Sequence, residues 1–368
     1  MISKAPSDWT LSPFPAPYRF AFSIIHDADS GYSRRLRPVF SCLEDLGLRV
    51  TATAFPFWAD WADEGRIWSE WMEADPYFAP VAVPLEDDEE RLFFQELAAA
   101  GHEIAMHTPS ETSSTREQLI KAFAYFESVL GAPPRMYVEH SPRNNLDAQQ
   151  REGADPTSRY YNTDLLNESR CWVWVLDELD GGRPTDKEAT NLLVQEGAPF
   201  SGQSLSLYGI ARGFLRNGSG EANGDTFLSQ YTEEALDALE ADGGLALLYT
   251  HLNYGWLDPE TRKVRREIRD RLAYIAEKPV WLATGTEILD RFDAMRCVHL
   301  ISGEGWLKLV NVGAGDVMSI GIRSDAGRGL IEHGKKLPAG EDGTLVVERL
   351  AAGETRTMLI EAEEFIAR

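Results

Sequence analysis

Short apolar runs alternate with amphipathic stretches along most of this chain. Phe20 to Ile25 is an almost unbroken apolar run, the pattern of a buried strand. Between Arg34 and Leu46, apolar residues recur at three- and four-residue spacing (Leu36, Val39, Phe40, Leu43, Leu46). That spacing predicts a helix, and Gly47 supplies its stop. Arg49 to Phe55 is β-rich and predicts a second strand. Glu86 to Ala100 predicts a helix whose acidic first turn suits the macrodipole. A third strand runs into His107, a helix spans Thr115 to Leu130, and a fourth strand runs from Arg135 to His140. Cys171 to Leu176 predicts strand five, Thr232 to Ala241 a helix, and Leu245 to His251 another strand. Pro259 to Lys278 predicts a long charged helix, Val280 to Ala283 a last strand, and Gly285 to Arg296 a closing helix.

Alternation of strands and helices over this length predicts an α/β fold, a parallel barrel or sheet. Residues 1–17 hold four prolines and predict an irregular arm. The texture changes near Cys297. From there short β-rich runs such as Trp306 to Val310 and Val317 to Ile322 are separated by Gly, Asp and Asn, which predicts a small antiparallel β-sandwich. The expected division is an α/β domain over 1–296 and a small antiparallel β domain over 297–368, with a structural cap and an oligomerisation surface favoured over a sugar-binding module as the role of the latter.

The strand ends carry the candidate chemistry. The first run closes in His26-Asp27-Ala28-Asp29-Ser30-Gly31. Three ionisable groups in four residues are costly in an apolar core but useful at a strand's exposed carboxyl end. Later runs close in His107, His140 and His251, so four of the seven histidines end strand-like segments. In parallel α/β architectures those ends share one face, where ligands bind. Residues 57–84 crowd Trp58, Trp61, Trp68, Trp71, Tyr77 and Phe78 into one connection. This is either an insertion walling a groove or an excursion with its own small core. The glycine-rich tract from Arg216 to Gly224 predicts a flexible or ligand-facing loop.

Composition narrows the class. The formal net charge of −23 on 368 residues argues against a general nucleic-acid or anionic-membrane binder. Three widely spaced cysteines, Cys42, Cys171 and Cys297, predict neither a disulfide framework nor a zinc ribbon. Reduced thiols and an N-terminus without an apolar leader segment predict a cytoplasmic protein.

The stretch His26 to Gly31, the pair Leu46-Gly47 before Val50 to Phe55, the stretch Leu97 to Thr108 with its Gly-His-Glu-Ile turn, and Tyr249-Thr-His251 resemble the polysaccharide deacetylase family, the NodB-homology group. The resemblance spans roughly residues 18–292. It implies a distorted (β/α)7–8 barrel, a divalent metal ion with zinc first in line, and hydrolysis of an acyl group on a sugar or polysaccharide precursor. It implies Asp29 and His107 as metal ligands. The family's second metal histidine is replaced by Glu111, four residues after His107 and on the same face of a helical turn. Either Glu111 or His140 is then the third ligand. Asp27 is the implied general base and His251 the implied general acid. Arg143 stands in a shifted position for the family's arginine. Blander roles remain open beside these: a helix cap for Asp29, a solvated acid for Glu111, an orienting carboxylate for Asp27, and a core imidazole for His251. His102 is expected to be structural. Two further functions stay open, hydrolysis of a non-peptide C–N bond in a small molecule and a non-catalytic carbohydrate-binding relative with a degraded metal site. The expected partner is a glycan or small-molecule substrate, with homo-oligomerisation possible.

Overall fold

A computed structural model describes residues 8–28, 31–59, 82–111, 114–138, 155–174, 195–196, 208–209 and 223–361. Contacts divide the chain into two compact units. One comprises Phe22–Lys278 and Leu282–Thr286, the other Met1–Ala21, Pro279–Trp281 and Glu287–Arg368.

The first unit is mixed α/β. Its strands include the body of β2 (Phe20–His26), β3 (Val50–Ala54), β4 (Glu103–Met106), β5 (Met136–Val138), β6 (Trp172–Trp174) and the short β7 (Gln195–Glu196) and β8 (Tyr208–Gly209). They lie in the order β2-β3-β4-β5-β6-β8-β7, and β9 (Leu245–Thr250) also pairs with β2. From β2 to β6 and on to β8 the pairings are parallel, while β7 is antiparallel to β8. The result is a curled, largely parallel sheet, half a barrel. All of β2 and β3 is buried, as strands covered on both faces require.

Helices α1 (Arg37–Asp45), α2 (Asp88–Ala99) and α3 (Arg116–Leu130) fall where the apolar spacing predicts them. Local chemistry sets their ends. Asp87 caps α2 by accepting from the Glu89 and Glu90 amides. Thr115 and Gln118 form a reciprocal capping box on α3, and Gly131 closes that helix at φ 80°. Farther along lie α4 (Thr163–Glu168), α5 (Gly224–Gln230), α6 (Glu233–Asp242) and α7 (Arg266–Ala276). The long helix predicted from Pro259 is cut short. The Asp258 carboxylate accepts from the Glu260 and Thr261 amides, and Leu257 bridges Val264 across a reversal. This Asx turn satisfies backbone donors outside a helix, so α7 starts only at Arg266.

The second unit holds β1 (Trp9–Pro15), most of the helix α8 (Gly285–Arg296) and antiparallel strands beginning with β11 (Val298–Gly303). Between the two units' segments comes the short β10 (Val280–Leu282). Next are β12 (Trp306–Asn311), β13 (Val317–Ser324), β14 (Leu330–Glu332), β15 (Lys335–Lys336), β16 (Leu345–Leu350) and β17 (Thr355–Ile360). They form two antiparallel sheets, β1-β13-β16 and β11-β12-β17-β14-β15. Side chains from both contribute to one buried cluster that includes Trp9, Leu307, Leu309, Ile320, Ile322, Val347 and Met358. Each such aliphatic contributes roughly 1.5–3 kcal/mol through burial. The predicted irregular arm is therefore in large part a strand. Pro13 and Pro15 are tolerated because β1 is an edge strand, where a missing N–H breaks no inner ladder.

Candidate active site

Asp27 follows directly on β2. Its amide donates to the Thr250 carbonyl at 3.1 Å, and the Ala28 amide donates to Thr53 Oγ1 at 2.8 Å. The turn is thus hooked to the ends of β9 and β3. His26, the last residue of β2, accepts the Leu252 amide on Nδ1 at 3.3 Å. These contacts lock the carboxyl end of β2 to the chain around His251.

The Asp27 carboxylate lies between two imidazoles. His107 Nε2 is 2.7 Å from Oδ1, and His251 Nε2 is 3.7 Å from Oδ2. The His107 and Asp27 side chains are 0% and 2% exposed, whereas His251 is 15% exposed. Of the three side chains, His251 is the one with appreciable exposure. The Tyr249 and Tyr254 rings meet the His251 ring edge-on, with centroids at 5.9 and 5.3 Å. Phe55 covers His107, with ring centroids 4.6 Å apart.

His107 Nδ1 is 3.0 Å from the Val138 carbonyl. A carbonyl only accepts, so Nδ1 carries the proton. Nε2 then faces a carboxylate with its lone pair unless positive charge lies between them. A proton on Nε2 or a bound cation would each relieve that clash. An imidazole oriented by a backbone carbonyl through Nδ1 is also the build of a metal-ligating histidine, so His107 fits the ligand role implied for it.

Glu111 is buried rather than solvated, and its Oε1 accepts the Ala82 amide at 3.0 Å. His102 is structural, as expected. Its Nδ1 accepts the Val50 amide at 3.0 Å and its Nε2 faces Glu44 at 3.2 Å. Burial pushes its pKa below the ordinary histidine value.

The structure thus brings together Asp27, His107 and His251. Asp29, His140 and Arg143 lie outside the described residues, as does the stretch 60–81 of the tryptophan-rich connection. Among the described residues, no three His, Cys, Asp or Glu side chains converge in a way that could hold a metal ion. Sequence reasoning missed Tyr254, Thr53 and the Val138 carbonyl. Only Tyr254, three residues after His251, left any signal, and the other two act from strands distant in sequence.

No protein-family model matches the chain, and no curated protein does. Among solved structures it is similar to Puue allantoinase at 12% identity and a TM-score of 0.44, over 79% of this chain and 95% of that one. A probable polysaccharide deacetylase from Pseudomonas aeruginosa PAO1 is similar at 12% identity and 0.44, over 80% and 95%. The peptidoglycan deacetylase PdaC from Bacillus subtilis follows at 10% identity and 0.35, over 77% and 95%. Superpositions this loose leave the chemistry to be argued from the residues themselves.

Proposed function

We propose that this protein is a metal-dependent hydrolase that removes an acyl group, acetyl first in line, from a sugar or polysaccharide precursor. The observation that carries the reading is the buried Asp27 carboxylate held between His107 and His251 at 2.7 and 3.7 Å. The motif resemblance around His26 to Gly31 and Gly101 to Thr108 supports it, and the parallel sheet is read as part of a distorted (β/α) barrel.

Asp29 and His107 would hold a divalent ion, zinc in the first place, with His140 as third ligand in preference to Glu111, whose Oε1 already accepts the Ala82 amide at 3.0 Å. A divalent ion held by these residues would supply Lewis-acid polarisation of the acyl oxygen and a more acidic water. Asp27 takes a proton from the attacking water, and the hooks on its backbone hold its carboxylate in place. His251, the more exposed imidazole, gives a proton to the leaving amine or alkoxide. Arg143 is the remaining candidate for the acid–base set. The same groups suit hydrolysis of a small-molecule C–N bond.

The test is a panel of acetylated sugars, small ureides and amides, run on zinc-reconstituted protein with metal analysis. The expected result is turnover of one acyl-sugar class, about one divalent ion per chain, and loss of turnover with retained metal in Asp27→Asn. Turnover confined to ureides or amides would select the C–N reading instead. Full activity in Asp27→Asn, or no bound ion after reconstitution, would sink the proposal.

A further inference from the structure

Three loops meet next to the Asp27–His107 contact, and one side chain joins two of them. The chain leaves β2 through Asp27 and reaches Gly31, which bridges Ala82 in parallel fashion. The Val83 amide also donates to the Gly31 carbonyl at 3.2 Å. Ala82 and Val83 belong to the connection that follows β3. The Ala82 amide donates to Glu111 Oε1 at 3.0 Å. Glu111 sits in the turn after β4, four residues from His107. Gly31, Ala82, Val83 and Glu111 are all buried.

These links close a ring. From Asp27 the path runs along the chain to Gly31, across to Ala82, through a hydrogen bond to Glu111, and back along the chain to His107. The ring is completed by His107 Nε2 at 2.7 Å from Asp27 Oδ1. The segment between His107 and Glu111 is itself stiff. Thr108 is held at φ 59°, and its hydroxyl lies 2.7 Å from the Ser110 carbonyl. A β-branched residue adopts that φ only when its surroundings over-determine it. The Phe57 amide donates to the Pro109 carbonyl at 2.9 Å, so the connection after β3 is fastened to this turn twice.

We infer that Glu111 is a positioning residue. Its carboxylate fastens the turn after β4 to the connection after β3, which the Gly31–Ala82 bridge ties to the loop after β2, and thereby sets the spacing of Asp27 and His107. Oε1 accepts a backbone donor, a role that a glutamine carbonyl also fills. The hydrogen bond to Ala82 asks for an acceptor rather than a charge, and the third metal position is left to His140. The inference concerns loop geometry and stands whether or not the hydrolase reading holds.

The test compares Glu111→Ala and Glu111→Gln with wild type, by hydrogen exchange of the Ala82 and Val83 amides and by zinc content after reconstitution. Loss of a charge-assisted hydrogen bond predicts exchange about tenfold faster or more in Glu111→Ala. Glu111→Gln is expected to stay within about threefold of wild type and to bind zinc as wild type does. Unchanged exchange in Glu111→Ala overturns the inference. So does a glutamine variant that loses zinc, because Glu111 would then be a ligand. If Glu111→Ala does not fold, Glu111→Asp draws the carboxylate back by one methylene and must speed exchange as well. A folded aspartate variant with unchanged exchange overturns the inference equally.

Discussion

The Glu90 carboxylate accepts the backbone N–H of Arg34 at 3.1 Å from inside the first unit, with none of its own side chain exposed. It caps, from α2, the 3-10 turn Ser33–Leu36 that leads into α1. One guanidinium serves three acids here. Arg34 lies 3.6 Å from Glu90, 3.1 Å from Asp87 and 3.0 Å from Glu89. Shared in this way it does not offset burial, and the Glu90 pKa is pushed up to about 7, with desolvation the dominant cause.

The sign of the pH effect follows. A carboxyl whose folded pKa lies above its unfolded value contributes stability that is complete below the ordinary glutamate range. That stability is lost as the pH rises through about 7. Urea denaturation of wild type is expected to show a fall between pH 5 and pH 8, with a ceiling on the order of 3 kcal/mol. Glu90→Gln, which keeps an acceptor for the Arg34 amide, is expected to flatten it. An unchanged slope in that variant would remove Glu90 as the cause.

His102 titrates with the opposite consequence. Its ring must be neutral at Nδ1 to accept the Val50 amide, and burial lowers its pKa. Its stabilisation is complete above the ordinary histidine value and is lost as the pH falls through the lower folded value. His102→Ala strands the Val50 N–H in the core, for a cost of about 2 kcal/mol at pH 7. Chemical denaturation at pH 7 and at pH 5 is expected to show a larger gap between wild type and variant at pH 7.

Gly224 marks a close approach of two backbones near the candidate site. A Cβ there would lie 2.3 Å from the Gly255 carbonyl oxygen and 2.7 Å from its carbon. The Gly224 amide donates to the Tyr254 carbonyl at 2.9 Å, in the turn that begins at His251. Gly224→Ala must push that turn away, at a cost of about 1–3 kcal/mol. Faster hydrogen exchange across residues 251–256 and a lower Tm are the expected readouts.

Arg291 is a buried cation that spends its donors on carbonyls. Nε donates to Pro13 at 3.1 Å, Nη1 to Met318 at 2.5 Å, and Nη2 reaches Phe14 and Ser319 at 3.3 Å. Burial lowers its pKa to about 10, so it stays charged at neutral pH. It joins α8 to β1 and β13. Arg291→Ala removes a donor from all four carbonyls, though Ser319 keeps the Ala16 amide at 2.9 Å, and a loss of about 3 kcal/mol is expected in denaturation. Arg291→Lys is expected to recover little, because an ammonium cannot span carbonyls on two strands.

Much of the chain's local order was legible before any coordinates. Strand runs, the helix from Thr115 to Leu130, the Gly47 stop and the helix Gly285–Arg296 depend on neighbours within a few residues, and periodicity and helix-end chemistry report those interactions. The placement of His107 and His251 at strand ends was legible for the same reason. Local propensity failed where a competing local bond won, as Asp258 did over the expected helix at Pro259. It failed again where a tertiary partner turned the arm at Trp9 into an edge strand.

The contacts that make a site were decided elsewhere. Asp27 and His107 are 80 residues apart in the chain, and nothing in either's neighbourhood encodes a 2.7 Å approach. That Glu111 is a buried acceptor rather than a solvated acid depends on the return of the chain at Ala82. Amino-acid order settles which segments are helix or strand and which ends carry charge, because those are short-range energies. Which carboxylate meets which imidazole is settled by sheet order and loop packing, because only the folded chain makes distant residues neighbours.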